Sequence, residues 1–305
     1  MSEYFLKRSA LSWPFKLTIT PEQFEELNCA VQLQLEALYI EQKYDFVVEN
    51  YLEFEETILQ CGLKYMILDN QDRLSINVET ALFNRRIMNF LTAYKTYDDT
   101  YRQHINRMFN RDRDVLRAAK KPFSEEYDSR VGYWMVPKIR NFVQHQGFPM
   151  HGSAYGSRWC KNFEGKDRNR YTVDLHIDPI ELSEGKFNLD IRDRLAKMIP
   201  KLDLKFLIRD FMEGFSTAHH KNRELVNGRL EWALEYVQSA IDSFLSVSAY
   251  ESHLGLVAFA PDGRRVSVAT YANDQRLYLV RKNRKLTRLS DRYISSEIES
   301  DEVEP

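Results

Sequence analysis

Apolar residues recur three and four positions apart over most of this chain, and strict alternation is confined to a few short stretches. Phe24, Leu27, Val31, Leu35 and Leu38 fall on one helical face, and Phe46, Tyr51, Phe54 and Ile58 continue it less regularly. Thr20-Pro21-Glu22-Gln23 supplies the start, with Thr20 as N-cap, Pro21 at the first helical position and Gln23 placed to complete a capping box. No glycine or proline follows until Gly62, a natural C-terminal stop. The pattern predicts one very long helix over 20–61, or two joined near Gln42.

A second helix is expected from Asn77 towards Ala119, with Ala81, Ile87, Phe90, Leu91, Tyr94, Tyr97, Tyr101 and Ile105 as its apolar stripe. Its far end, RQHINRMFNRDRDVLRAAKK, is densely basic and reads either as a solvated face or as a cradle for phosphates. Ser124-Glu125-Glu126 is expected to cap a third helix, kinked or restarted at Pro137 and ended at Gly147. HGSAYGS then reads as a loop and YTVDLHID as a strand. Helical pattern resumes over FNLDIRDRLAKMI and from Leu202 to Leu245, with a break expected at Asn227-Gly228. LGLVAFA, RRVSVATYA and RLYLVRK, separated by turn residues, predict a three-stranded meander.

The fold class is therefore mainly α, with long helices and a small antiparallel β meander near the C-terminus. The expected organisation is an N-terminal segment over 1–19 and a helical core over 20–150. A short strand and further helices follow over 151–250, then the meander over 251–288 and an acidic, disordered tail over 289–305.

Composition narrows the reading. With 305 residues, 43% hydrophobic and 29% charged, the chain is a globular one with ample core material. Eleven glycines and nine prolines favour long helices over a turn-rich all-β fold. Three scattered cysteines, Cys29, Cys61 and Cys160, lack metal-ligand spacing and read as reduced thiols of a cytoplasmic protein. No apolar run approaches the length of about 20 residues that spans a bilayer, so no membrane association is expected. The net charge of −2 neither advertises nor excludes nucleic acid, because a local basic patch is what matters.

The stretch VPKIRNFVQHQGFP, residues 136–149, concentrates candidate chemistry: Arg140, Asn141 and His145 stand on the last turns of a helix that a Gly-x-Pro sequence ends. A histidine titrating near neutrality is a ready acid or base, and an arginine fork grips a phosphate without losing its charge. Asn141 can orient either by hydrogen bonds. On a regular helix Asn141 and His145 share a face, while Arg140 and His145 lie about 140° apart. Arg140 must then reach round, or the two must converge from opposite protomers. A purely structural reading makes Arg140 an ion-pair donor and His145 a residue favoured by the helix dipole.

RNFVQH resembles the signature of the HEPN family: Arg, four to six residues, then His, often with Asn after the Arg. The motif covers six residues, and a looser likeness in helical organisation extends over residues 20–150. The resemblance implies a HEPN-like helical bundle that dimerises, with two motifs in one cleft. It implies a metal-independent endoribonuclease of toxin–antitoxin or anti-phage type, with RNA as substrate, no cofactor and an antitoxin or regulatory partner. Arg140, Asn141 and His145 are then catalytic, and Lys138 and Gln144 bind substrate. A catalytically silent module that binds RNA, nucleotide or a protein is the alternative. Two further candidates carry less: Asp174, His176 and Asp178 alternate on one face of a strand, the placement of a metal-ligand set, against a surface-strand reading. His219-His220 is expected to be a solvated pair.

Overall fold

The capping box at the head of the first helix forms as its residues dictate. The Thr20 N–H donates to Gln23 Oε1 at 2.8 Å and the Gln23 N–H donates to Thr20 Oγ1 at 3.1 Å. From there a single helix of 48 residues runs through both Gln42 and Gly62. The structure, a computed structural model, describes residues 3–9, 15–69, 72–162, 164–183, 189–197, 201–248 and 252–295. Their order is β1 (Tyr4–Arg8), β2 (Leu17–Ile19), α1 (Pro21–Leu68), α2 (Arg73–Met108), α3 (Arg113–Ser129), α4 (Val131–His145), β3 (Gly152–Lys161) and β4 (Asp167–Ile177). There follow α5 (Pro179–Ser183), α6 (Leu189–Ala196), β5 (Leu202–Asp203), α7 (Leu204–Val247), β6 (Leu256–Phe259), β7 (Arg265–Ser267) and α8 (Tyr271–Lys282). The protein is mainly helical, as the apolar periodicity requires.

Two compact units share these elements, and neither is a continuous piece of chain. The first comprises Met1–Asp45, Thr96–Pro122 and His219–Arg284, and the second Phe46–Lys95, Phe123–Ala218 and Lys285–Pro305. In the first, β2-β1-β6-β7 form an antiparallel sheet, with Phe5 opposite Phe259 and Val257 opposite Ser267. Phe24, Leu33, Tyr44, Tyr97, Leu230 and Val237 are buried there. In the second, β3, β4 and β5 pair antiparallel, and a cluster of rings fills the centre. Phe211 stacks on Tyr133 at 5.0 Å between centroids and meets Tyr94 edge-on at 4.7 Å.

Several expected boundaries move, each for a local reason. The helix expected over 77–119 breaks at Asn110 and Arg111, whose φ values of 51° and 61° are left-handed. Asp112 then caps α3 by accepting from the N–H groups of Asp114 and Val115. Ser124-Glu125-Glu126 is not a helix start, since α3 runs through it to Ser129. HGSAYGS is no loop but the start of β3, paired with β4 from Gly152↔His176 onward. A Cβ on Gly152 would stand 2.4 Å from the His176 ring, so glycine lets that ring lie across the strand. α7 passes Asn227-Gly228 without a break, and RLYLVRK is the body of α8 rather than a third strand. The free edge of β6 pairs instead with β1 from the N-terminus. Residues 296–305 of the acidic tail lie outside the described residues.

α4 lies close enough to α7 that only glycine fits at position 132. An added Cβ would stand 2.3 Å from the Leu207 carbonyl oxygen and 2.8 Å from the Phe211 nitrogen, both backbone atoms. Gly132→Ala is expected to lower the unfolding free energy in urea by about 2–3 kcal/mol. Gly228→Ala, where nothing lies within 4 Å, should be neutral or stabilising. Equal effects of the two substitutions would refute the close contact.

Candidate active site

Where α4 starts is fixed by side chains from α3 and α7. Arg130 is extended, at φ −120° and ψ 129°, and no side chain of the first turn caps the helix. Asp210 of α7 does so instead, accepting the Gly132 N–H at 2.7 Å and the Arg130 guanidinium at 2.9 Å. Glu126 and Glu213 take up further N–H groups of Arg130. From this anchor α4 buries Gly132, Tyr133, Trp134, Met135, Val136, Ile139 and Phe142. The helix continues through Pro137 to His145.

The motif residues occupy the other face. Asn141, Gln144 and His145 are exposed and Arg140 is half-buried. Because the helix is continuous, Arg140 and His145 do keep the separation of about 140°. Arg140 Nη1 nevertheless donates to Asn141 Oδ1 at 3.3 Å, which turns the guanidinium towards the Asn141–His145 side. No side-chain hydrogen bond or ion pair engages His145 among the described residues. Lys138 is held more tightly: its Nζ donates to the Tyr127 hydroxyl at 2.8 Å and lies 5.6 Å from the centre of the Trp134 ring. Arg194 covers the same Trp134 ring at 4.2 Å. Of the aromatic residues around the motif, Trp134 and Phe142 are core, while Phe148 is 65% exposed.

The chain just past the motif is firmly pinned. Gln146 closes the helix by donating its N–H to the Phe142 carbonyl, and Gly147 lies so close to the Phe142 ring that a Cβ would meet it at 2.8 Å. The Met150 N–H donates to Asn84 Oδ1 at 3.1 Å. His151, 5.6 Å from the Phe142 ring, accepts the Asp178 N–H at Nδ1 over 3.0 Å. Its proton therefore sits on Nε2, which is buried without a partner. With this geometry in hand, comparison with known protein families, curated proteins and solved structures gives no match.

The strand candidates are committed elsewhere. Asp174 pairs with Lys205 at 2.9 Å, and Asp178 caps α5 by accepting the Ile180 N–H at 2.7 Å. No group of three potential metal ligands gathers among the described residues. No helix among them is long and apolar enough to cross a membrane.

His219 corrects an expectation, because it is not solvated but 1% exposed. It stacks on Tyr44 at 3.8 Å, accepts the Tyr97 hydroxyl at Nδ1 over 2.9 Å and presents Nε2–H to Glu41 Oε2 at 3.3 Å. Burial raises the Glu41 carboxyl, but His219 and the two-pronged Arg223 outweigh it and bring the pKa down to about 2. The signal was present in the sequence. Phe211, Phe215, His219, Asn222, Val226, Leu230, Ala233 and Val237 follow one stripe at spacings of three and four, and the charged neighbours Lys221 and Arg223 hid it.

Three histidines are thus built into the fold as neutral rings. Burial is the first cause that pushes His104, His151 and His219 below the ordinary value of 6.5, against the pull of Glu36, Glu181 and Glu41 respectively. A depressed folded pKa means that the unfolded chain binds more protons, so stability is full above pH 6.5 and falls as the pH drops below it. Unfolding free energy measured between pH 7 and pH 5 should fall steadily. In His219→Gln the slope should be shallower by up to about 1.4 kcal/mol per pH unit, one proton's worth. An unchanged slope would mean that His219 is already charged in the fold.

Proposed function

We propose that the chain is a metal-independent endoribonuclease of HEPN type, with Arg140, Asn141 and His145 as its working groups. One observation carries the reading. Asn141 and His145 are exposed and Arg140 half-buried on the last turns of α4, with Arg140 bonded to Asn141, while His104, His151 and His219 are held in the interior as neutral rings. The Asp210 cap on one side and the pinned segment after Gln146 on the other make that helix end a rigid platform, which suits catalysis by positioning.

RNA cleavage at such a site runs by attack of the ribose 2′-oxygen on the adjacent phosphorus. His145 takes the 2′-hydroxyl proton, the P–O5′ bond breaks, and the leaving oxygen collects a proton. The products are a 2′,3′-cyclic phosphate and a 5′-hydroxyl. Arg140 holds the two non-bridging oxygens as negative charge grows on them, and Asn141 orients Arg140 through the bond already in place. One histidine supplies a base or an acid but not both at once, and the angle between Arg140 and His145 keeps them apart within a single helix. A homodimer with two motifs facing one cleft resolves both difficulties, and the exposed Phe148 beside the motif offers apolar area for it. Gln144, exposed on the same helix end, is placed to contact the RNA, whereas Lys138 acts through its hold on Tyr127 and Trp134. A toxin or defence role, with an antitoxin or other regulator as partner, belongs to this reading. The same angle between Arg140 and His145 favours, as a second reading, a catalytically silent module that binds RNA, nucleotide or a protein.

Purified protein incubated with RNA and a chelator should cleave it, and His145→Ala and Arg140→Ala should each reduce the rate by about 10²–10⁴-fold with the fold intact by circular dichroism. Cleavage that persists in both variants would sink the assignment. RNA retention without cleavage by the wild type would establish the silent module. Where each site draws Arg140 from one subunit and His145 from the other, mixing the two variants restores part of the activity. Full activity from a demonstrated monomer excludes the shared cleft.

A further inference from the structure

Outside α4, in the first unit, helices α1, α2, α7 and α8 line a partly open cavity of about 20 Å3. Its base admits one oxygen-sized group, so a larger occupant keeps its remaining atoms in the open mouth. Its charge is unusual for a space so enclosed. Arg223 and Arg276 both face it, together with Glu41 and the neutral His219. Glu41 is taken up by Arg223, with Nε to Oε1 at 2.8 Å and Nη2 to Oε2 at 2.6 Å, and by His219 Nε2 at 3.3 Å. That leaves Arg276 under the attraction of Glu41 but without an ion pair of its own among the described residues. Its Nε donates to Asn273 Oδ1 at 3.2 Å, and no carboxylate forms an ion pair with it among the described residues. Burial disfavours the Arg276 charge, and so does Arg223, with Glu41 acting the other way. A half-buried cation in that position is stabilised by an incoming anion.

A second group on the wall asks for the opposite partner. Asn222 is 3% exposed and donates through Nδ2 to the Ala119 carbonyl oxygen at 3.0 Å. Its Oδ1 is buried and receives no hydrogen bond, which costs about 1–3 kcal/mol unless a donor arrives. An occupant that satisfies the wall therefore presents negative oxygens to Arg276 and a hydrogen-bond donor to Asn222. Protonated phosphate does both, because its P–O⁻ oxygens accept and its P–OH donates. Sulfate at neutral pH has only acceptors.

We propose that this cavity is a phosphate-binding site, in which Arg276 holds the phosphate oxygens, Arg223 lends positive charge beside it and Asn222 Oδ1 accepts from the P–OH. The phosphate is inorganic phosphate entering through the open side, because a phosphate monoester, with a second pKa of about 6, is mostly a dianion at pH 7 and has no P–OH for Asn222. None of the α4 motif residues takes part, so the site stands whether or not the chain cleaves RNA.

The experiment is thermal unfolding of the full chain against inorganic phosphate, sulfate and chloride at one ionic strength and pH 7. Phosphate at ten times its dissociation constant should raise the melting temperature by about 2–4 °C. Sulfate should do clearly less, which separates binding from the general salting effect of both ions. Arg276→Gln should remove the difference between phosphate and sulfate. Asn227→Asp should weaken it as well, by placing a negative charge on an exposed residue of the cavity wall without touching the buried cluster. That variant keeps the test open if Arg276→Gln does not fold. Ribose 5-phosphate, mostly a dianion without P–OH at pH 7, should raise the melting temperature less than inorganic phosphate at equal concentration, and an equal or larger rise overturns the role given to Asn222. No phosphate-induced rise, or the same rise from phosphate and sulfate in wild type and both variants, overturns the proposal.

Discussion

Asp210, in the first two turns of α7, decides where the motif helix begins. α3 and α4 are separated by one extended residue, Arg130, and a helix start that no side chain of its own caps needs a partner from elsewhere. Asp210 provides it, with one oxygen on the Gly132 N–H and the other on Arg130. A carboxylate near a helix N-terminus is favoured by the exposed N–H groups and by the helix dipole. Arg130 is in turn surrounded by Glu126 and Glu213, so the charge at this junction is shared rather than isolated. Gly132 can only be glycine because the two backbones meet there. Everything later in α4, including the placement of Arg140 and His145, inherits its position from that contact.

Several buried carboxylates of the interior are tied to a histidine or an arginine. Glu36 receives His104 at 2.5 Å, Glu41 receives Arg223 and His219, and Glu55 receives both Nε and Nη2 of Arg209. Such pairs add little net stability when compared with apolar replacements, yet removing one partner leaves a buried charge and is costly. The end of α4 is the contrast. Its titratable and hydrogen-bonding groups stand in solvent, where they contribute little to folding and are available for other work.

The candidate motif was legible because it is local. Arg140, Asn141 and His145 lie within six residues on one helix, and the Gly147 stop that frames them is written in the same stretch. The cluster at His219 was not legible, since its partners Tyr44, Glu41 and Tyr97 are 122 or more residues away in sequence. Its only trace in the sequence is the apolar stripe it interrupts. The same holds for the third strand of the expected meander. RLYLVRK, an apolar run with basic ends, folds as the body of α8, and among the described residues no strand pairs with the outer edge of β7, while β1 from the other end of the chain extends the sheet on the β6 side.

By itself the sequence determined the helical character of the protein, the long first helix and its capping box, and a compact set of chemical groups before Gly147. These depend on residues within a few turns of one another, where spacing and side-chain chemistry suffice. Only the tertiary structure decided the start of α4, the burial of His219, the strand pairing of HGSAYGS and the sharing of α1, α2 and α7 between two units. The start of α4, the burial of His219 and the shared helices rest on contacts between residues far apart in the chain, and no local pattern encodes which distant carboxylate or ring will be the partner. HGSAYGS pairs with the adjacent β4, where the glycines and serines hid the strand.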